Sequence, residues 1–176
     1  TVQPSLIKNK TSIHIKIINN TNQNLERLKV KFNEDDIRKF LFSTRFLFQN
    51  LDRVQIFDDK YQLLGDTDSL DLDPRAFSQR IDIVEMNSLN NSEKSKIKKN
   101  LFKQDLNEKK IFEDLKKYSN SSDYGRPYTY TENNYDQFLL VTIKNVIYGD
   151  KIIGYLAISE NANDIKAAID ERKNFV

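Results

Sequence analysis

Cysteine and tryptophan are absent from the 176-residue sequence, which also has only one histidine, four glycines and three prolines. Without cysteine the chain can form no disulfide and no zinc–thiolate or iron–sulfur site, and it has no thiol nucleophile. The single histidine, His14, excludes a histidine-rich metal site and leaves one candidate for a histidine-centred triad. Four glycines leave little room for a glycine-rich phosphate loop. We therefore expect no enzymatic activity, no metal and no cofactor.

Long apolar runs and a strong charge excess are also missing. The longest apolar runs, such as 138–141, are far shorter than the about 20 residues that a membrane-spanning helix needs. Residues 1–10 lack the apolar core of a signal peptide. The 28 basic residues nearly balance the 26 acidic ones, for a net charge of +2, so we expect no nucleic-acid partner. The length predicts one domain with a substantial core.

Residues 4–28 carry two competing patterns. Isoleucines alternate with polar residues over 13–17, which suggests a strand, whereas four apolar residues spaced by 7, 4 and 11 positions would share one helical stripe. Those four residues are Leu6, Ile13, Ile17 and Leu28. The length of the segment favours a helix, which we predict over 4–28. His14 stands alone on it, and we expect this side chain at the surface or at an interface.

A second helix is predicted over 33–48. Asn33 is a good N-cap residue, and three acidic residues follow it, where the helix dipole favours negative charge. Phe32 and Ile37 fit the two positions of a hydrophobic staple. Apolar residues recur at helical spacing, which predicts an amphipathic helix packed on a flat apolar surface.

Alternating apolar residues and short turns predict antiparallel strands. The strand segments are 53–57, 61–66, 128–131, 137–146 and 152–159. A lysine-rich helix is predicted over 92–118, and a last helix follows Asn161 or Asn163, either of which can cap it. Strands joined by short hairpins, with helices segregated around them, define an α+β domain.

The lysine-rich helix contains nine lysines and five acidic residues, a net charge of +4. The simplest interpretation is a solvated helix face. Contact with anionic lipid head groups or with an acidic partner is the alternative. Aromatic residues do not alternate with these lysines, so base stacking is not expected.

Aromatic residues and one cation lead into the strand 128–131. The candidate ligand-binding residues are Tyr124, Arg126, Tyr128 and Tyr130. The last three occupy alternate positions and would share one face of a strand. Because an arginine fork matches a carboxylate and tyrosine hydroxyls fix orientation, this face could line a pocket for a polar small molecule. The alternative is that these side chains only cover the outer face of the sheet.

The acidic stretch 66–73 superficially resembles a calcium loop. In that pattern Leu70 occupies position five, and Asp71 stands at position six in place of the required glycine. A solvated acidic loop is therefore the simplest interpretation, and no metal site is predicted.

The C-terminal part of the sequence resembles a known family. The segment 152–159 (IIGYLAIS), followed by Asp164, Ile165 and 170–172 (DER), is similar to the end of the periplasmic sensor domain of ChvG/ExoS-type histidine kinases. Members of that family carry this pattern just before their second transmembrane helix.

Two earlier segments add to the resemblance. Residues 53–58 (RVQIFD) with 63–66 (LLGD) resemble a hairpin of the same family. Residues 5–7 (SLI) with Ser12 are similar to the segment after its first transmembrane helix. Asn163 stands where the family usually has glycine.

The resemblance implies an α+β sensor domain of the PAS-like, PDC/Cache type. Residues 1–30 would be a membrane-proximal helix, 31–159 the PAS-like core and 160–176 a helix leading to the second transmembrane segment. The parent would be a sensor histidine kinase of the bacterial inner membrane, with this domain on the periplasmic side. A homodimer is implied, and the partner would be a periplasmic regulator protein or a small-molecule ligand.

Signalling in such a receptor would be mechanical. Leu6, Ile13 and Ile17 could form a parallel dimer seam, and a ligand, proton or partner would favour one helix arrangement. Crowded carboxylates are the candidates for acid sensing, because like charges raise the pKa of each other. These carboxylates are Asp66, Asp68, Asp71 and Asp73.

Two alternatives to a kinase sensor remain. The domain could serve another output protein, such as a chemoreceptor or a cyclase, or it could be a free-standing periplasmic interaction module. An enzyme is the least favoured class, since no paired-acid motif is recognisable by spacing.

Overall fold

The computed structural model describes residues 2–70, 90–92, 109–134 and 137–167. The helices are α1 (Val2–Arg27), α2 (Glu34–Thr44) and α3 (109–119), and residues 163–167 are also helical. The strands are β1 (Arg53–Asp58), β2 (Leu63–Asp66), β3 (Tyr128–Asn134), β4 (Gln137–Tyr148) and β5 (Lys151–Asn161). Short 3-10 turns cover Arg45–Phe48 and Thr67–Ser69. The predicted segment 93–108, with Asp71 and Asp73, lies outside the described residues.

The five strands form one antiparallel sheet in the order β2-β1-β5-β4-β3. All three predicted hairpins are confirmed, and so is the α+β class. The turn between β4 and β5 uses Gly149 in the left-handed region, at φ 62°, where glycine avoids the steric penalty of a side chain. The last strand, β5, lies at the centre because it pairs with both β1 and β4.

Helix α1 confirms the predicted helix, but the predicted apolar stripe is wrong. Ile13 and Leu28 are 51% and 54% exposed. The buried stripe has helical spacings of 4, 3 and 4 and consists of His14, Ile18, Thr21 and Leu25. Two of its members are polar and satisfy their hydrogen bonds within the fold. The spacing of the apolar residues therefore predicted the wrong buried face for α1.

Helix α2 begins as predicted. The side chain of Asn33 accepts a hydrogen bond of 2.8 Å from the backbone N–H of Asp36. The helix is shorter than expected, because after Thr44 the chain tightens into a 3-10 turn. Ile37, Phe40 and Leu41 are buried, which confirms the amphipathic face.

The replacement Asn33→Ala is expected to lower the free energy of unfolding by about 1 kcal/mol, because it removes the N-cap acceptor. Urea denaturation followed by circular dichroism measures this loss. Asn33→Ser keeps a capping oxygen and should stay within a few tenths of a kcal/mol of the wild type. An alanine variant as stable as the serine variant would contradict the cap.

The sheet is covered on both faces. Helices α1 and α2 pack on one face, where the buried strand residues are Val54, Ile56, Val146, Leu156 and Ile158. The opposite face packs against α3 and carries Phe57, Val141, Ile143, Tyr155 and Ala157. Both faces bury apolar side chains, so successive residues on the central strand are buried. Among the described residues, no helix is both long and apolar enough to cross a bilayer.

A third, small apolar cluster joins the two ends of the described fold. Leu6 and Ile7 at the start of α1 pack against Leu140, Ala162 and Ile165. The helix that starts at residue 163 is held by a local contact, because the side-chain oxygen of Asn161 accepts from the N–H of Asn163 at 2.8 Å. The first helix and the segment after the last strand therefore lie side by side.

Candidate functional site

A connected row of aromatic rings follows the sheet face beneath α3. Phe112 meets Tyr61 edge-on at 5.4 Å, and Tyr61 lies 5.2 Å from Tyr155. Tyr118 continues the row, 6.4 Å from Tyr155 and 5.7 Å from Tyr124. Such pairs contribute packing beyond their buried area. The row spans the first hairpin, α3 and the central strand, so it holds these elements in one arrangement.

A groove of about 730 Å³ opens at the end of this row, between the first hairpin and α3. Its lining residues are Gln55, Phe57, Tyr61, Gln62, Leu63, Lys109, Ile111, Phe112 and Glu113. The volume falls within the range of small-molecule sites, and an apolar wall with few polar groups is typical of them. Lys109 and Glu113 lie one helical turn apart and place a cation and an anion at the same rim.

The turn of the first hairpin positions Tyr61. The carboxylate of Asp58 accepts hydrogen bonds from the N–H groups of Lys60, at 2.8 Å, and Gln62, at 2.9 Å. Tyr61 itself adopts φ 67°, an uncommon conformation for a bulky residue. Contacts with the rings of Phe112 and Tyr155 fix its place at the groove.

Buried tyrosine hydroxyls anchor the wall behind the groove. Tyr118 donates a 2.6 Å hydrogen bond to the carbonyl of Arg126, and Tyr130 donates one of 2.9 Å to Asp114. The hydroxyls of Tyr155 and Ser119 share a hydrogen bond of 2.9 Å. Burial raises the pKa of each of the phenols of Tyr118, Tyr130 and Tyr155 above the ordinary value for tyrosine. These phenols therefore stay neutral and remain available as donors.

The predicted ligand residues lie on this side of the sheet but outside the groove. Arg126 precedes β3, is exposed and donates to the carbonyl of Ser122 at 3.3 Å, so the prediction that it lies on the strand is wrong. Tyr128 and Tyr130 do share a strand face and stack at 5.8 Å. Tyr124 packs on Tyr118 within the aromatic row. None of the four predicted residues lines the groove.

Sequence reasoning missed the groove residues on β1, the following turn and α3. The sequence does contain one signal for them, the pair Ile56 and Phe57, because consecutive apolar residues on a strand indicate that both faces of the sheet are covered. Phe112 on α3 remains 37% exposed at the groove.

The predicted acidic cluster is divided by a cation. Arg53 lies between the two described members, with its Nε 3.0 Å from both carboxylate oxygens of Asp66 and 3.3 Å from Asp68. Partial desolvation raises the pKa of Asp68, and Arg53 opposes that rise. Asp71 and Asp73 lie outside the described residues. Within the described part of the chain, no group of three or more acidic or histidine side chains could hold a metal ion.

The predicted dimer seam is only partly exposed. Leu6 and Ile17 are half-buried against apolar clusters of their own chain, whereas Ile13 faces outward. The prediction that His14 lies at the surface or an interface is wrong, because this side chain is fully buried in the domain.

No family model and no curated protein sequence matches the chain. Its fold is similar to the ligand-binding domain of the amino-acid chemoreceptor PctC of Pseudomonas aeruginosa PAO1, solved with GABA, at 10% identity and a TM-score of 0.50. That alignment covers 95% of this chain and 61% of the receptor domain. The sensory domain of the Campylobacter jejuni chemoreceptor Tlp3, solved with isoleucine, aligns at 12% identity and a TM-score of 0.47, over 93% of this chain and 59% of that domain.

The chain thus spans about three fifths of the length of the domains it resembles. At this identity the likeness shows the fold alone, which is the α+β fold of Cache/PAS-like sensor domains. The predicted fold class is confirmed. The PctC structure that shares it is the ligand-binding domain of a chemoreceptor.

Proposed function

We propose that this chain is the extracytoplasmic sensor domain of a membrane receptor and that it binds a small molecule in the groove beside α3. The observation that carries the proposal is the groove itself, with an aromatic wall, two glutamine side chains and a lysine–glutamate pair at one rim. The opposite sheet face is filled by α1 and α2. Ligand binding and signal transmission would therefore use different faces of one sheet.

The ligand class that fits the rim is a small zwitterion with an apolar body. Lys109 can pair with a carboxylate and Glu113 with an ammonium group, while Phe112 and Leu63 cover apolar atoms. The PctC domain was solved with GABA, a zwitterion of this kind. Shared fold and matching rim chemistry both support an amino-acid-like ligand.

Transmission would run through the neighbouring ends of the fold. Lys10 of α1 lies 3.4 Å from Glu160 on β5 and 3.6 Å from Asp164 in the following helical segment. Residues 1–30 and 160–176 would lead towards the membrane, and the domain would face the periplasm. The exposed Ile13 would contribute to a homodimer along α1.

The output of the receptor has two candidates. The similarity to the PctC domain supports a chemoreceptor, whereas the short segments resembling ChvG/ExoS sensors support a histidine kinase. We favour the chemoreceptor, because the structural similarity covers nearly the whole chain. Sequencing the complete reading frame separates the two, since a kinase core would contradict this choice.

Ligand binding is tested by melting the domain with a panel of amino acids, amines and organic acids. A true ligand at a hundred times its dissociation constant should raise the melting temperature by several degrees. Replacing Phe112 by alanine should weaken binding of that compound about tenfold, because the ring contributes about 1.4 kcal/mol of contact. Isothermal titration calorimetry measures the change.

Phe46→Ala is the matched control, because this phenyl ring is 63% exposed on the 3-10 turn after α2 and does not line the groove. It should bind the compound as the wild type does. A panel without any stabilising compound, or equal weakening in both variants, would count against the groove.

A further inference from the structure

The only histidine of the chain lies at a junction of three elements. His14 is fully buried in the middle of α1. Its Nδ1 lies 2.8 Å from the hydroxyl of Thr142 on β4, and its Nε2 lies 2.7 Å from a carboxylate oxygen of Glu160 on β5. These two bonds connect the first helix to both of the longest strands.

The hydrogen-bond chain fits a neutral imidazole. Nε2–H donates to Glu160, which can only accept when ionised, and the hydroxyl of Thr142 then donates to the bare Nδ1. Thr142 in turn lies 2.9 Å from the hydroxyl of Thr129 on β3, which can donate to it. Every polar atom along this path has a partner in that arrangement.

A second proton on the imidazole would reverse the hydroxyl chain. Nδ1–H would become a donor, so Thr142 could no longer donate to it and would have to turn its own proton towards Thr129. Thr129 would then need another acceptor. Protonation therefore disturbs the hydrogen bond between α1 and β4 and the Thr142–Thr129 hydrogen bond between β4 and β3.

The charged groups around the imidazole act in opposite directions. Glu160 from β5 favours the protonated form, and Lys10 from α1 disfavours it. Asp164, from the helical segment after β5, contacts Lys10 on its other side. The neighbouring residues of β4 and β3, Thr142 and Thr129, are uncharged. Burial is the largest influence and lowers the pKa of His14 below its ordinary value of 6.5.

We propose that His14 and Glu160 form a proton-sensitive link that holds α1 against the sheet while His14 is neutral and loosens it when His14 is protonated. The proposal does not depend on the ligand groove. It assigns acid sensitivity to a different place from the aspartates near β2, and it acts on the helix that would face the membrane.

The direction of the effect follows from linkage. Because the folded state has the lower pKa, the unfolded chain binds more protons as the pH falls below 6.5. The stability that depends on neutral His14 is therefore complete above that pH and is lost as the pH falls towards the pKa of the folded protein. Acid should loosen α1, and base should leave it unchanged.

Nuclear magnetic resonance tests the link directly in the 176-residue chain. The chain has one histidine, so the imidazole gives one set of signals without assignment. We expect their titration to report a pKa below 6.5. Glu160→Gln removes the group that favours the proton, and should lower this pKa further. A wild-type pKa at or above 6.5, or the same value in Glu160→Gln, would overturn the proposal.

Melting temperature supplies a second readout. The variant His14→Gln can keep both hydrogen bonds but does not titrate. Between pH 7.5 and pH 5.5 the melting temperature of the wild type should fall further than that of His14→Gln, by up to about 4 °C, because one pH unit below 6.5 lies in this range. Equal losses in the two proteins would contradict the link, because a histidine whose pKa is the same in the folded and unfolded states adds no pH dependence.

Spin labels locate the change. The chain has no cysteine, so the pair Lys16→Cys and Lys151→Cys labels an exposed position on α1 and another on β5. Below pH 6.5 the distance distribution should broaden with His14 present and stay narrow with His14→Gln. Broadening in both backgrounds would place the acid response elsewhere.

Discussion

Gly154→Ala should lower the free energy of unfolding by about 3 kcal/mol. A methyl group at this position of β5 would overlap the carbonyl oxygen of Phe57 and lie 2.8 Å from the ring of Phe32. The carbonyl belongs to the neighbouring strand β1, so it cannot rotate away as a side chain would. Strands β1 and β5 would have to separate where Asp58 pairs with Gly154. Guanidinium denaturation measures the loss.

Gly149→Asn is the matched control for this prediction. Gly149 is in the turn between β4 and β5 at φ 62°, with no atom within 4 Å of an added Cβ. Asparagine tolerates this left-handed conformation better than other residues, so the cost should stay below about 1 kcal/mol. Similar losses at both positions would show that the contact with Phe57 does not decide the cost at Gly154.

Asp66→Ala should also cost about 3 kcal/mol. Only 6% of Asp66 is exposed, and its carboxylate accepts hydrogen bonds from Arg53 at 3.0 Å and from the backbone N–H of Asp68 at 3.0 Å. Alanine leaves the buried side of the guanidinium without its main acceptor. Urea denaturation at pH 7 measures the change, and Asp66→Asn should fall between alanine and wild type because it keeps an oxygen for the N–H of Asp68.

Asp68→Asn provides the comparison. This carboxylate is exposed, and the outer ion pair with Arg53 is worth at most about 1 kcal/mol. The sequence prediction placed both aspartates in one acid-sensing cluster. In the structure Asp66 is buried and holds Arg53, whereas Asp68 is exposed. A larger loss in Asp68→Asn than in Asp66→Ala would contradict this division.

Local signals were sufficient for most elements of the fold. The cap at Asn33 and the strand segments 53–57 and 137–146 involve residues close in sequence, and the structure confirms each prediction within a few positions. Helix α1 was predicted from length and spacing, although its buried face was not. The face was missed because His14 and Thr21 are polar, and hydrophobicity gives no sign of burial for a polar residue whose partners are distant.

The groove depended on distant segments as well. Phe57 and Tyr61 come from the first hairpin, whereas Phe112 comes from a helix about fifty positions later. Nothing in either segment indicates that they meet. The tyrosines that looked like a binding face, Tyr128 and Tyr130, are instead stacked on the edge strand, with one hydroxyl bound to Asp114.

By itself the sequence determined the absence of thiol and multi-histidine chemistry, the α+β class, and the positions of the hairpins, because these follow from composition and from contacts within a few residues. Tertiary structure alone decided that β5 lies at the sheet centre, that His14 is buried between Thr142 and Glu160, and that aromatic residues from separate elements form one groove. The physical reason is that buried polar and aromatic side chains are stabilised by partners distant in the sequence, which hydrophobic periodicity does not reveal. For His14 these partners lie more than a hundred residues away.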